Sequence, residues 1–328
     1  MKPLVEQWYS PRPALWCLPF SWLFYSLVVI RRALYKARIL PSQSVPVPVI
    51  VVGNISVGGT GKTPVVAWLV KLLRAAGYSP GIVTRGYGGQ AERWPQQVRA
   101  DSDPVFVGDE PVLLAQRCGC PIVAAPDRVA AANALLKYSD CNVVITDDGL
   151  QHYRLRRDIE LVVVDGERRF GNGHCLPAGP LREPLSRLKS VDYVIANGNA
   201  RRGEFAMTLA PSDLVSLRSS EERLALSELK GTVVHAVAGI GNPSRFFELL
   251  KGQGVDVREH AFPDHHKFEL SDVSFDDQLP ILMTEKDAVK CRGFANKKAD
   301  TQMWYLPVDA QLDDSFAYRL LQQLKNLI

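Results

Sequence analysis

Val49 to Pro64 reads VIVVGNISVGGTGKTP, and this stretch decides the fold. Its β-branched opening, residues 49–52, suits a strand. Helical spacing begins after the glycines and runs over residues 64–76, with Gly77 as a natural stop. Strand, glycine loop and helix are the setting in which such a loop carries mechanism. Gly58, Gly59 and Gly61 let the main-chain N–H groups along Ser56, Val57, Gly58, Gly59, Thr60 and Gly61 close around a β-phosphate. Lys62 then reaches the β/γ oxygens, and the Thr63 hydroxyl is placed for Mg²⁺. One position departs from the common pattern, which opens with glycine where this chain has Ser56. The segment predicts a protein that binds a nucleoside triphosphate and uses its γ-phosphate.

Outward from the loop, apolar runs at residues 81–84, 121–124, 142–146, 161–164 and 191–196 alternate with helical stretches such as 111–117 and 128–138. Continuous apolar strands separated by helices predict an α/β fold of the P-loop NTPase kind, a mostly parallel sheet with helices on both faces. The run 142–146 ends in Asp147-Asp148-Gly149, where a metal-holding carboxylate belongs in a P-loop sheet. Adjacent residues of a strand point to opposite sides, so one of the two acids is expected near Mg²⁺.

Residues 41–48 (PSQSVPVP) read as a linker, because repeated prolines forbid a continuing helix. A polar turn at residues 200–204 (ARRGE) suggests a second boundary. The expected organisation is an N-terminal apolar helix and linker (1–45), a nucleotide-binding and catalytic domain (46–204) and a smaller C-terminal α/β domain (205–328). In the last, strand candidates at 232–238, 255–257, 281–284 and 303–306 accompany a helix at 244–250 and a closing helix from about residue 315.

The chain has 328 residues, 39 Lys plus Arg against 35 Asp plus Glu, and a formal charge of +4. That balance speaks against a dedicated nucleic-acid binder, and no obligate protein partner is evident. The six cysteines lack zinc or redox spacing; even Cys118-Gly-Cys120 is poorly spaced for a metal, so reduced thiols are expected.

Residues 14–30 (ALWCLPFSWLFYSLVVI) form an uncharged apolar run followed at once by Arg31, Arg32, Lys36 and Arg38. It is marginal for a span, which needs about 20 apolar residues. Trp16, Trp22 and Tyr25 suit the headgroup layer, so a helix lying in one leaflet is expected, with a buried helix and a true span as the alternatives. The charges follow the apolar run and no small-residue cleavage site ends it, which argues against a cleaved signal peptide.

A guanine-reading motif is missing: in Thr284-Glu285-Lys286-Asp287 the lysine stands one place too late, and Asn197-Gly198-Asn199 has none. A kinase needs a group that takes the acceptor's proton. Candidates are Asp109 in VGDEP and the histidines of Phe262-Pro263-Asp264-His265-His266, although each alone also reads as an ordinary surface group. Arg85 and Tyr87 (TRGYGG), Asp127-Arg128, and Arg182-Glu183 (PAGPLREP) are further polar groups in loops of the kind that build sites.

Taken in order, the apolar N-terminal helix, GNISVGGTGKTP, TRGYGG, VGDEP, DDGLQH, PAGPLREP and FPDHH resemble the tetraacyldisaccharide 4'-kinases, the lipid A 4'-kinases of Gram-negative bacteria. The resemblance covers nearly the whole chain, and that family's loop also tends to carry a small hydroxyl residue at the place of Ser56. It implies transfer of the ATP γ-phosphate, with Mg²⁺, to the 4'-hydroxyl of a membrane-embedded tetraacylated glucosamine disaccharide 1-phosphate, giving lipid IVA. By the same match Asp109 accepts the hydroxyl proton and His265, with His266 as the alternative, tunes or positions it. Lys62 and Thr63 keep their loop roles, while Asp147, Asp148 and Glu183 sit near the metal or phosphates. Arg128 and Arg182 meet the phosphorylated substrate or the transferring group, and Arg85 and Tyr87 are further substrate contacts. Phe268 stands where a tyrosine is expected. The implied location is the cytoplasmic face of the bacterial inner membrane, peripheral or monotopic. The rival readings are a soluble P-loop metabolite kinase and a regulatory or metal-delivery NTPase.

Overall fold

Five consecutive buried residues, Val49–Gly53, form the strand β1, and a run buried on both faces belongs at the middle of a sheet. The computed structural model describes residues 4–295 and 302–327. Before β1 come a single turn, α1 (Leu4–Gln7), and the long helix α2 (Leu18–Lys36). After it follow α3 (Lys62–Ala75), β2 (Pro80–Thr84), β3 (Gln96–Val98), α4 (Pro104–Val107), α5 (Asp109–Cys118), β4 (Ile122–Ala124), α6 (Arg128–Tyr138), β5 (Val143–Asp147), β6 (Ile159–Asp165) and β7 (Tyr193–Asn197). The rest supplies β8 (Phe205–Pro211), β9 (Leu214–Ser216), β10 (Arg223–Leu224), β11 (Val233–Ala238), α7 (Pro243–Gly252), β12 (Asp256–Ala261), β13 (Ile281–Thr284), α8 (Glu285–Ala295), β14 (Met303–Leu306), β15 (Val308–Leu312) and α9 (Asp314–Lys325).

The larger sheet has nine strands in the order β15-β8-β7-β6-β1-β5-β2-β4-β3. It is parallel from β8 through β4, with antiparallel β15 and β3 at its edges. The strand order reverses at β1, between β5 and β6, and in such sheets ligands settle outside the carboxyl ends of the strands at that point. The glycine loop leaves β1 there. One face of the sheet is covered by α3, α5 and α9, with Ile50, Leu69, Leu114 and Phe316 fully buried. The other is covered by α6 and by loops, with Phe24 of α2 packed against it.

The boundary expected near residue 204 lies further along. Phe205–Pro211 pairs with β7 and Val308–Leu312 pairs with β8, so both belong to the larger sheet. Phe316 of α9 stacks on Trp68 of α3 at 5.5 Å, which places the C-terminal helix in the same core. A polar turn marks a loop but not which sheet the next strand joins. The smaller lobe is the segment between, a six-stranded sheet β10-β9-β14-β13-β11-β12 whose middle is parallel. One antiparallel ribbon serves both lobes: β8 continues into β9 and β14 into β15, and Ser212 N donates to Pro307 O at 3.0 Å between them.

The apolar segment is helical from Leu15, and α2 buries little of itself. Ser21 is its one buried residue and donates to Cys175 O at 2.7 Å. Trp16, Phe20, Trp22, Leu23 and Leu27 are each more than half exposed, which removes the reading of a core helix. All six cysteines are free and buried.

Candidate active site

Gly61 sits at φ +94° just before α3, a conformation costly for any residue with a side chain. A Cβ there would also come within 2.8 Å of Asn197 Nδ2, which donates to Thr60 O. These constraints open the loop so that Val57 to Thr63 line a cavity of about 940 Å³ between the two lobes. Ser56 is buried behind it, bridged to Leu181.

The paired acids part because the strand ends between them. Asp147 is the last residue of β5 and is buried, whereas Asp148 has φ +49° and turns its carboxylate into the cavity. Lys62 Nζ lies 3.5 Å from Asp148 Oδ1, and Arg182 Nη1 lies 2.9 Å from Oδ2. Burial pulls the Asp148 carboxyl upward, but Lys62 and Arg182 outweigh it and hold it at about 2. For Asp147 burial wins and, with Glu110 nearby, raises it to about 7.

Asp147 Oδ1 is buried without a hydrogen-bond partner. Asp147 does not itself line the cavity, but a buried carboxylate oxygen left unpaired at the strand end, beside Val52 of β1 and next to Asp148 of the cavity wall, fits a hard divalent cation. No group of three His, Cys, Asp or Glu forms a ready-made cage among the described residues.

Across the cavity, behind Glu110 and His265 of its wall, Gly108 at φ +93° precedes α5, and Asp109 is the first residue of that helix rather than part of a loose surface turn. Its Oδ1 accepts from Glu110 N at 2.9 Å, and its Oδ2 faces His265 Nδ1 at 3.4 Å. Burial raises the Asp109 carboxyl, yet the His265 contact and Lys286 prevail and bring it to about 2. The Asp109 contact in turn raises His265, against burial and the Lys286 charge. The tandem histidines are thereby told apart. His265, at φ +60°, faces Asp109 and packs against Tyr87 with the rings tilted and their centroids 4.9 Å apart. His266 binds Asp272 Oδ2 at 2.9 Å and stacks on Phe262. Phe268 is core, edge-on to His266.

Of the other expected residues, Arg85, Tyr87 and Arg182 line the cavity. Arg128 and Glu183 do not. Arg128 is buried beneath the strand ends, where Nη1 donates to Ala125 O at 2.9 Å and Nη2 to Asp147 O at 3.3 Å. Burial lowers it to about 10. Its contact is therefore with the backbone that carries the acids, not with substrate. Glu183 is buried in a network with Tyr153, Gln151 Nε2 at 3.2 Å and Arg187 Nε at 3.4 Å. Fully buried among these partners and off the cavity wall, it stiffens the loop that presents Arg182.

Sequence reasoning passed over Lys286, Asn197 and Arg245, all cavity residues. Arg245 Nη2 donates to Asn197 Oδ1 at 2.9 Å, so that asparagine joins the loop backbone to the smaller lobe. In the sequence Asn197-Gly198-Asn199 is weighed only as a base reader, and nothing local ties it to the glycine loop.

A parallel sheet reversing at a phosphate loop, a strand-end acid pair, and a buried acid with a histidine over one cavity define a P-loop kinase. The profile of the tetraacyldisaccharide-1-P 4'-kinases matches residues 13–325, and the chain belongs to that family. Among its relatives is the tetraacyldisaccharide 4'-kinase of Nitrosococcus oceani, 53% identical over 323 residues, which span 98% of this chain and 94% of the relative. That of Coxiella burnetii is 46% identical and spans 98% of this chain and 95% of the relative. The crystal structure of the "apo" form of LpxK from Aquifex aeolicus in complex with ATP superposes with a TM-score of 0.77 at 29% identity, covering 94% of this chain and 98% of that one.

Proposed function

We propose that this tetraacyldisaccharide 4'-kinase of lipid A biosynthesis works through Asp109 as the acceptor of the 4'-hydroxyl proton. The observation that carries the reading is the 3.4 Å approach of His265 Nδ1 to Asp109 Oδ2, above a cavity whose floor is the phosphate loop. ATP enters with its phosphates on the N–H groups of residues 56–61 and its γ-phosphate toward Lys62. The acceptor oxygen approaches from the Asp109 side. Each carboxylate oxygen accepts two hydrogen bonds, so Asp109 keeps a free lone pair for the hydroxyl beside its contacts with Glu110 N and His265. The O–P bond forms as the bond to the β-phosphate oxygen breaks, the proton passes to Asp109, and ADP leaves.

Arg182 and Lys62 exchange Asp148 for the transferring group, where their charges count most in a site shielded from water. Arg85 and Tyr87 stand on the cavity wall to meet the sugar and its 1-phosphate. Thr63, Asp147 and Asp148 would hold Mg²⁺, which supplies charge neutralisation across the β- and γ-phosphates when bound.

The substrate is lipid-linked, so the site must work at a bilayer. The exposed apolar side of α2, with Arg31, Arg32, Lys36 and Arg38 at its end, supports a helix held in the cytoplasmic leaflet of the inner membrane. Replacing Asp109 by Asn tests the chemistry: nucleotide affinity should hold within about threefold while phosphoryl transfer falls by roughly 10²–10⁴. Undiminished turnover of the Asp109→Asn enzyme removes Asp109 from the mechanism.

A further inference from the structure

The segment Thr284-Glu285-Lys286-Asp287, out of register as a base reader, has another use in this fold. Thr284 Oγ1 donates to Asp287 Oδ2 at 2.6 Å and accepts from Asp287 N at 3.2 Å, and Asp287 also accepts from Gly239 N at 2.9 Å. These bonds fix the first turn of α8. Lys286 projects from it into the cavity, where its Nζ meets Glu110 Oε1 at 3.0 Å, Asp264 Oδ1 at 3.1 Å and His265 Nε2 at 3.3 Å.

An ammonium group has three donors and no acceptor. Burial opposes the charge on Lys286, but Glu110, Asp109 and Asp264 prevail and keep it protonated. All three protons are spent on the three neighbours, so His265 Nε2 can only accept. The ring proton is then on Nδ1, directed at Asp109 Oδ2. The opposite tautomer would set an Nε2 proton against the ammonium and turn the Nδ1 lone pair on a carboxylate.

We propose that Lys286 is a positioning residue of this kinase: by donating to His265 Nε2 it fixes the imidazole as the neutral Nδ1–H tautomer and so aims a donor at Asp109. The same ammonium joins α5 of the larger lobe, through Glu110, to the His265 loop of the smaller one. The assignment rests on the reading of Asp109 as proton acceptor only for its catalytic consequence. The charged groups facing His265 are Asp109, Asp264 and Lys286, with Lys290 further along α8 acting on Asp109.

The test uses full-length enzyme with ¹⁵N-labelled histidine, comparing wild type, Lys286→Met and Lys286→Arg, with Asp109→Asn as a control. In wild type, at a pH above the raised titration of the ring, the His265 resonances should show a protonated Nδ1 and an unprotonated Nε2. Lys286→Met should mix the tautomers and move the His265 titration to higher pH. Its turnover should fall roughly ten- to a hundredfold with KM for ATP within about twofold, a part of the general acid–base contribution. Lys286→Arg should restore the tautomer and some of the turnover. An Nε2–H wild-type ring overturns the assignment, as does a Lys286→Met enzyme whose His265 tautomer is unchanged. Should the Lys286→Met chain fail to fold, the wild-type spectrum decides alone. If Asp109→Asn stays active while the tautomer still follows Lys286, the proton-acceptor reading fails and the Lys286 assignment stands.

Discussion

Lys62 and Asp148 face each other at 3.5 Å, and Arg182 holds the same carboxylate from the other side at 2.9 Å. One acid thus engages both cations that a triphosphate needs. Asp148→Asn should free them. Metal-free ATP is expected to bind severalfold more tightly, by titration calorimetry, while turnover with Mg²⁺ falls on the order of a hundredfold. Weaker metal-free binding would show that Asp148 does not compete with the phosphates.

The Asp109–His265 contact also has a pH signature. Asp109 is depressed to about 2, so it contributes stability above its unfolded value of roughly 3.9, lost as pH falls through 2. His265 is raised, so its contribution is complete below its unfolded value of roughly 6.5 and fades as pH climbs through the folded value. Melting curves of His265→Gln should lack the neutral-pH decline, and those of Asp109→Asn the acid one.

Gly61→Ala should be costly twice over. The left-handed backbone penalises any side chain by about 1–2 kcal/mol, and the new Cβ would press on Asn197 Nδ2. A lowered Tm with loss of ATP binding is expected; a Gly61→Ala protein that melts and binds like wild type would mean that the loop rearranges freely.

On α2, Leu23→Glu with Leu27→Glu should abolish sedimentation with anionic liposomes while Tm stays nearly unchanged. Both side chains are more than half exposed, and surface changes away from special contacts usually cost within about 0.5 kcal/mol. Retained sedimentation would place the membrane contact elsewhere.

Phe316→Ala should destabilise by about 3–5 kcal/mol, since the ring is fully buried against Trp68, Tyr193 and Phe205. For the same reason a fragment ending at residue 204 should not fold alone, a point that circular dichroism decides.

Much of this was legible because its signals are local. The glycine loop, the apolar strands and the acids ending β5 each declare themselves within a few residues. The pairing of Asp109 with His265 joins residues far apart in sequence and depends on how the lobes meet, which no local pattern records. Arg128 and Glu183 carried the right chemistry in suggestive loops, and only burial separates a scaffold ion from a ligand-facing one. Lys286 was visible in the chain but weighed against the wrong template. The seam near residue 204 falls short of the observed one because β8 and β15 look like strands of either sheet until their partners are known.

The ribbon formed by β8–β9 and β14–β15 enters and leaves the smaller lobe side by side. A body hung on two adjacent strands resists translation but turns readily about the line between them. Any such rocking would carry His265 and Lys286 together, as one jaw, while Asp109 and Lys62 stay with the other. The proton-handling pair would then be assembled only when the jaws meet, so ATP left without its lipid would face an incomplete centre and water would gain little from it.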